Sequence, residues 1–551
     1  MNNFISLLES LPTPEEMRQW DINAINFGIP ENMLMENASR ACLSLINDLS
    51  LLNKGDIVWL FIGSGNNGGD GAALSRHLHD EGKLPIVFHI APLAKLKGSA
   101  ALHANLALKD GVEFYNLKMK NINFISMMAF LQECVGKNLP RPALIVDALL
   151  GTGFAGELRP DMESLVNVIN KLSSVMNTPI FAIDSPSGLN CVTGRPQPVA
   201  IKATYTLTLA AAKPGLVLPH ADKWTGQLFC RKIGFPKSMN QPYKFKLLDG
   251  ESLLKETGLP QNSYKNLFGH VYIIGGSQNM TGAPRLAALG ALRTGAGLVT
   301  LVGPEQATAA TNTVLPEVMT ISLGNEHTFK SLPDNIKTVL QNASSLVIGP
   351  GMGRSSASLL LLQSILEIEA RPPTVFDADS LFLLGQHRKL LNKIKKTDVL
   401  TPHPGEAGFL LQQSGKEIQQ DRFKALYDLT RIVPAVIVLK GACTLIGQTE
   451  KDVLICPYDI PQLAVAGAGD VLSGCAGALL GKPEFMNDAL GACAKAVILH
   501  TMSGFMLAGY FPERGMLASD IANAIPKVHD FIINLTRQNK IIGRMPWPVF
   551  A

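Results

Sequence analysis

One pattern recurs along this chain and limits what it can fold into: a short apolar run ends in glycine or aspartate, and a helix-like stretch comes next. DIVWLFIG (56–63), ALIVDALLG (143–151) and PIFAIDSPSG (179–188) show it in the first half. HVYIIGG (270–276), SLVIGPGMG (345–353), TVFDADS (374–380), VLTPHPGE (399–406) and AVIVLKG (435–441) repeat it in the second. AALSRHLHDEG (72–82) and PRLAALGALRTG (284–295) read as helices between such runs. Runs that are apolar throughout, rather than alternating, are buried on both faces, which calls for parallel sheets covered by helices. The expected class is α/β. Ligands of such sheets bind outside the carboxyl ends of the strands, so chemistry is expected where these runs end.

The chain has 551 residues, more than one ordinary domain. The segment 234–264 carries three prolines and no strong period, and reads as a linker or domain entry. The division is placed near it, giving domains 1–236 and 237–551. With 46% hydrophobic and 17% charged residues, both halves can bury a core, which excludes disorder, collagen and coiled coil as the theme. Lys plus Arg is 49 against 45 for Asp plus Glu, and no basic tract stands out, so nucleic acid is not the expected partner. Eight cysteines form no Cys-x-x-Cys pair, which argues against a zinc site or disulfide framework. The start lacks a basic-then-apolar leader, and no run of about 18 residues is free of charge and proline, so no membrane span is expected. A cytoplasmic location is the resulting expectation.

GSGNNGGDG (63–71) ends an apolar run and opens a helix. It fits G-x-G-x-x-G, but the next strand ends in His89 and Ile90 where the dinucleotide fingerprint needs an acidic residue. Glycines there let backbone amides approach an anion, and the helix N-terminus favours phosphate. Asn66 and Asn67 offer neutral oxygens for a hydroxyl, an amide or a weakly held cation. The plainer alternative is a tight turn with Asp70 as helix N-cap. Asp147 and Asp184 end two further runs, where a carboxylate can hold a cation, orient a hydroxyl or move a proton. Each alone could be a turn or cap residue; the three motifs together point to one crevice.

AVAGAGDVLSGCAGALLG (464–481) runs a glycine-alanine loop into an apolar helix, with Asp470 at the junction. Amides at such a helix start stabilise charge that develops in phosphoryl transfer, and the carboxylate takes a hydroxyl proton as the phosphorus–oxygen bond forms. The bland alternative is a core helix with small residues for close packing. No Walker A sequence occurs, so this is not a P-loop protein.

MENASR (35–40), GSGNNGGDG, DALLGTG (147–153), DSPSG (184–188) and AAKPG (211–215) together resemble the NAD(P)H-hydrate epimerases, which interconvert the R and S forms of hydrated NAD(P)H. The resemblance implies an N-terminal Rossmann-like three-layer domain. It implies that the loop Asn66, Asn67, Gly68, Gly69, Asp70 and the segment Gly151, Thr152, Gly153, Phe154, Ala155, Gly156, Glu157 hold the hydrate beside Asp184. Asp184 would relay the epimerisation proton, and Asn67, Asp147 and Ser187 would ligate a potassium ion. The family usually has Gly where this chain has Ser39.

The G-A-G-D loop resembles the ribokinase-like superfamily. GGSQNMTGA (275–283), ALRTGAGLVT (291–300), GPGMG (349–353), DADSL (377–381), TPHPGE (401–406) and KGACT (440–444) narrow the resemblance to the ADP- or ATP-dependent NAD(P)H-hydrate dehydratases. It implies a C-terminal ribokinase-like α/β domain with Asp470 as base. Lys440, Gly441, Ala442, Cys443, Thr444 and Gly469 would bind the adenine nucleotide, and Ala283, Gly353, His403 and Asp470 would contact the hydrate. Glu406 would lie near magnesium or its waters. The family usually has an aromatic residue near Met280. Fused relatives tend to use ADP, so the implied substrates are hydrated NADH and NADPH (NADHX, NADPHX) with ADP and magnesium. A homo-oligomer is expected, the small residues of 464–481 being available for subunit packing. Two rival readings are a small-molecule kinase with a non-catalytic first domain and a first domain kept only for docking.

Overall fold

The computed structural model describes residues 9–117, 122–136, 140–154, 156–236, 243–248, 262–325, 331–537 and 549–550. It divides into two compact units, one of residues 10–245 with Val549–Phe550 and one of residues 246–537 with Glu9, among the described residues. Phe245–Leu247, at the junction, forms a buried strand of the eleven-stranded sheet, and the Leu248 N–H donates to the Ile455 carbonyl in that sheet.

The first unit is built on eight strands in the order Val549–Phe550, Gln227–Arg231, Tyr205–Leu209, Ile180–Ile183, Leu144–Ala148, Ile57–Ile62, Leu84–His89, Glu113–Asn116. All are parallel. Alternate residues of Ile57–Ile62 feed opposite faces: Val58, Leu60 and Ile62 join one buried cluster, Trp59 and Phe61 the other. Helices cover both faces, and this makes the three layers. Each such large side chain, fully buried, stabilises by about 1.5–3 kcal/mol, so the central strand is a rigid support for the glycine-rich turn at its end. Strand order reverses between Ile57–Ile62 and Leu144–Ala148, and the crevice beyond a reversal is where open sheets bind ligands.

The second unit has an eleven-stranded sheet. Its parallel part runs Met319–Ser322, Leu298–Gly303, His270–Ile274, Ser345–Ile348, Thr374–Phe376, Val399–Leu400, Val436–Leu439, and beyond it Thr444–Gly447 and Val453–Cys456 are antiparallel. Order reverses between His270–Ile274 and Ser345–Ile348. The helix Ala468–Leu480 docks close on its neighbours: a Cβ on Gly474 would lie 1.9 Å from the Ala287 carbonyl oxygen, and one on Gly477 2.4 Å from Val347 Cγ2. The small residues of this helix are therefore used inside the unit, which corrects the expectation that they serve subunit packing.

One helix, Ala489–Ala508, is long and apolar enough to cross a membrane, although Lys495 interrupts its apolar run in the sequence. Within the unit 78% of its most apolar window is buried, as in a core helix.

Candidate active sites

In the first unit, Asn66–Asp80 is helical from its first asparagine, so Asn66 to Asp70 form an opening turn rather than a loop. Close approach explains the glycines: a Cβ on Gly68 would sit 2.1 Å from the Gly63 carbonyl oxygen, and one on Gly69 2.6 Å from Met35 Sδ. Asp70 is the fifth helical residue and not the N-cap, which is Gly65 with no side-chain cap bond. The capping alternative for Asp70 is thereby removed.

Asp184 comes directly after the strand Ile180–Ile183 and lies in the left-handed region, at φ +65°. Non-glycine residues held there cost of order 1–3 kcal/mol and persist only where the surroundings fix them. Here they do. Lys213 Nζ donates to Asp184 Oδ1 at 2.7 Å, and the Thr152 N–H donates to Oδ2 at 3.1 Å. Burial works to raise the Asp184 carboxyl, but Lys213 and Thr152 outweigh it and hold the group below its ordinary value. Asp70 is the opposite case: burial, then the charges of Asp184 and Asp21, push it well above the carboxylate range. Asp21, from the helix Pro14–Phe27, is raised to about 6 by burial and by Asp184. Neighbouring carboxyls whose environments pull them apart favour different protonation states.

Asp147 is fully buried, and its oxygens accept from Ser187 Oγ at 2.6 Å, the Ser187 N–H at 2.8 Å and the Leu149 N–H at 3.2 Å. Burial raises it to about 6 against those bonds. Both polar atoms of the Asn67 side chain are buried without a partner. The orphaned Asn67 amide oxygen is a hard donor, of the kind that suits a hard cation rather than a soft metal. The Asn67 side chain and Asp184 Oδ2 both pack against Gly151, within 3.3 Å of where its Cβ would be. Phe154 is half-buried against a core cluster, Gly156 has φ +88°, Glu157 is exposed, and Ala155 lies outside the described residues. Ser39 is buried, with its hydroxyl donating to the Glu36 carbonyl at 2.8 Å.

In the second unit, Gly467 caps Ala468–Leu480 at φ +87°, which places Asp470 in the first turn. Around it stand groups from three strand ends. Lys440, after Val436–Leu439, donates from Nζ to Asp377 Oδ1 at 2.7 Å and lies 3.7 Å from Glu406 Oε2. Thr401 Oγ1 donates to the same Asp377 oxygen at 2.7 Å. A Cβ on Gly469 would be 3.3 Å from Lys440 Nζ, so the ammonium sits against the glycine-alanine loop. Burial disfavours charge on Lys440, but Asp377 and Glu406 more than compensate and it stays a cation. Burial, then Asp377, raises Asp470 to about 7, with Lys440 opposing. Burial also lifts Glu406 to about 7, against Lys440 and with Asp377.

His403 is the N-cap of Pro404–Leu411: its Nδ1 accepts from the Gly405 N–H at 3.0 Å and the Glu406 N–H at 3.3 Å. Accepting there makes the ring neutral with the proton on Nε2, and burial and Lys440 lower its pKa accordingly. Its Nε2 lies 3.4 Å from Glu406 Oε1, so Glu406 meets the ring at both nitrogens, with the His403 side chain 56% exposed. Asp379 accepts from the Gly353 N–H at 3.0 Å and from Arg354 Nε at 2.8 Å, which fixes the GPGMG turn. Gly351, at φ +59°, packs against Met280 and Ala283, so those residues border the same turn. Arg422 grips the turn after Val436–Leu439, donating to the carbonyls of Leu439 at 2.9 Å, Lys440 at 3.2 Å and Ala442. Cys443 is buried at φ +61°, so Lys440 to Thr444 offers backbone, and Lys440 alone turns its charge to the carboxylates.

Sequence reasoning missed Asp21 and Arg422, and quoted Lys213 and Asp377 within motifs without giving them roles. No group of three or more His, Cys, Asp or Glu among the described residues forms a ready metal cage. A divalent cation would here arrive with nucleotide phosphates, as magnesium commonly does.

Residues 31–215 match the family described as YjeF-related protein N-terminus, and 271–527 the family described as NAD(P)H-hydrate dehydratase. The bifunctional NAD(P)H-hydrate repair enzyme Nnr of Coxiella burnetii is 34% identical over 512 residues, covering 92% of this chain and 96% of that protein. The Nnr of Moorella thermoacetica is 33% identical over 534 residues, with 94% and 96% covered. A solved ADP/ATP-dependent NAD(P)H-hydrate dehydratase from Bacillus subtilis, co-crystallized with ATP/Mg2+, is 25% identical, covers 51% of this chain and 96% of its own, and has a TM-score of 0.43.

Proposed function

The chain belongs to the family of bifunctional NAD(P)H-hydrate repair enzymes, and from that premise we propose that each crevice carries one half of the repair. The first unit epimerises R and S hydrated NAD(P)H; the second dehydrates the S form with ADP, giving NAD(P)H, AMP and phosphate. The observation that carries the second half is Asp470 in the first turn of a helix whose N-cap, Gly467, supplies no side-chain cap bond, beside Lys440 and raised to about 7.

Hydration leaves a hydroxyl on carbon 6 of the nicotinamide ring, a poor leaving group. Asp470 takes its proton as the oxygen bonds the terminal phosphorus of ADP and AMP departs. The phosphate ester then leaves as carbon 5 loses a proton, which restores the ring double bond. General-base help of this kind contributes about 10²–10⁴-fold. Helix amides at 467–470 and Lys440 face the charge that develops on the transferred group. Asp377 and Glu406 would hold magnesium or its waters, and the bound metal would neutralise phosphate charge. The turn Lys440 to Thr444 with Gly469 would seat the adenine nucleotide, and Ala283, Gly353 and His403 would meet the hydrate.

For epimerisation, the ring nitrogen can expel the carbon 6 hydroxyl as water once a proton is supplied. Water returns to the other face and gives a proton to a carboxylate. Asp70, kept protonated, and Asp184, kept ionised, suit those two roles. Asn66 to Asp70 and Gly151 to Glu157 would hold the hydrate. Asn67, Asp147 and Ser187 would hold potassium, which supplies a fixed positive charge beside the hydrate. Eight free cysteines support a reducing, cytoplasmic setting.

The direct test is product stoichiometry with S hydrate. NADH, AMP and phosphate in equal amounts support the proposal; ADP formed from ATP instead would fix ATP as donor. Neither nucleotide giving NADH would return the second unit to the kinase reading.

A further inference from the structure

One cation of the epimerase crevice takes no direct part in the proton steps. Lys213 is 1% exposed, and its Nζ makes three bonds: to Asp184 Oδ1 at 2.7 Å, Thr208 Oγ1 at 2.9 Å and the Leu209 carbonyl at 3.0 Å. An ammonium has three protons to donate, so this one has none left for a ligand. It cannot be a substrate-binding lysine or a mobile proton carrier. A buried ammonium is costly unless paired, and its one charged partner among the described residues is the carboxylate that ends the neighbouring strand. Asp184 is itself held at φ +65°, with its own N–H donating to the Leu207 carbonyl at 2.8 Å. Backbone strain and a spent lysine therefore converge on a single side chain.

We propose that Lys213 is a positioning residue for the epimerisation: it holds the Asp184 carboxylate ionised and in one orientation toward the crevice. This rests on the epimerase reading of the first unit. The groups that face Asp184 explain why such a device is needed. Asp21 stands on Pro14–Phe27, Asp70 on Asn66–Asp80 and Cys42 on Glu31–Asp48, with Cys191 beyond the DSPSG turn. The acids repel one another, and Glu31 adds to the repulsion at Asp21. Among buried carboxyls that cannot all ionise, the one given the lysine keeps its charge. Asp70 is left to carry a proton, and Asp21, raised only to about 6, is eased by the same lysine. Lys213 thus sorts base from acid without touching the substrate.

The test tracks R-to-S conversion by chromatography in the full chain, with saturating potassium, across pH. The wild-type acid limb should lie below the ordinary carboxylate value of about 4. Lys213→Met should move that limb up by at least about one pH unit, so the loss is deepest in acid and shrinks as pH rises. Lys213→Arg should restore the limb toward the wild-type position. Wild-type rate and profile in Lys213→Met, or a loss equal at every pH, would overturn the proposal. Should Lys213→Met fail to fold, Thr208→Val, which removes one acceptor from the ammonium, should give a smaller shift of the same sign; no shift would overturn it. A wild-type chain that does not interconvert the epimers at all is a separate result, and sinks the epimerase reading instead.

Discussion

The two crevices solve opposite electrostatic problems. In the first, a buried lysine with every proton donated fixes one carboxylate, and the neighbouring Asp70 is pushed well above the carboxylate range. In the second, one lysine faces Asp377, Glu406 and Asp470 together, too many carboxylates for one cation, and two of them rise to about 7. In the first site the neutral Asn67 amide is left without a partner. The second is built to be completed by a cation that comes with a nucleotide. A site that inverts a neutral centre can be preorganised; one that moves a phosphoryl group needs charge delivered with its substrate.

The largest expected effects would break the comparison outright. Asp470→Asn should lower dehydration of the S hydrate by about 10²–10⁴-fold while R and S still interconvert. Asp184→Asn should do the reverse, with an epimerisation loss of about the same size and dehydration of the S form intact. Steady-state rates on separated epimers check both.

A smaller effect concerns stability. Lys440→Met leaves Asp377, 2% exposed, with a buried charge and only Thr401 to answer it. Removing one partner of a buried pair costs about 3–5 kcal/mol, so thermal melting should fall, and magnesium-nucleotide should not restore it fully.

The pH dependence sharpens the contrast further. Without nucleotide, Asp470 is raised to about 7, chiefly by burial, so a base needed in ionised form is lost as pH falls through 7. Dehydration at limiting nucleotide should drop between about pH 8 and 6, while epimerisation, with Asp184 below the ordinary range, should not track it. The smallest effect belongs to Arg422→Met: loosening the turn at Leu439 to Ala442 should raise KM for the nucleotide severalfold with kcat little changed. Initial rates against nucleotide concentration read it directly.

How far the sequence foretold these sites depends on which signals are local. Asp147, Asp184 and Asp470 end apolar runs or open a helix, and a strand-end carboxylate is visible without a structure. The partner of each is not. Lys213 lies 29 positions from Asp184 and Lys440 63 from Asp377, and only the parallel sheet order brings their ends together. Asp21 comes from a helix that no motif marked. Asn66 to Asp70 looked like a loop because glycine is poor in helices; contacts at Gly63 and Met35 override that propensity. The small residues of 464–481 suggested a subunit face for a related reason: sequence shows that something packs close, not what.

The measurement that tests the two-site account most directly is NADH recovery from a mixed R and S hydrate with ADP, magnesium and potassium. The wild-type chain should recover both epimers, Asp184→Asn should stop once the S fraction is spent, and Asp470→Asn should recover almost none. An equal mixture of the two variants should then restore full recovery, each supplying the site the other lacks. A wild-type curve that halts at the S fraction, or a mixture that does no better than Asp184→Asn alone, would contradict it.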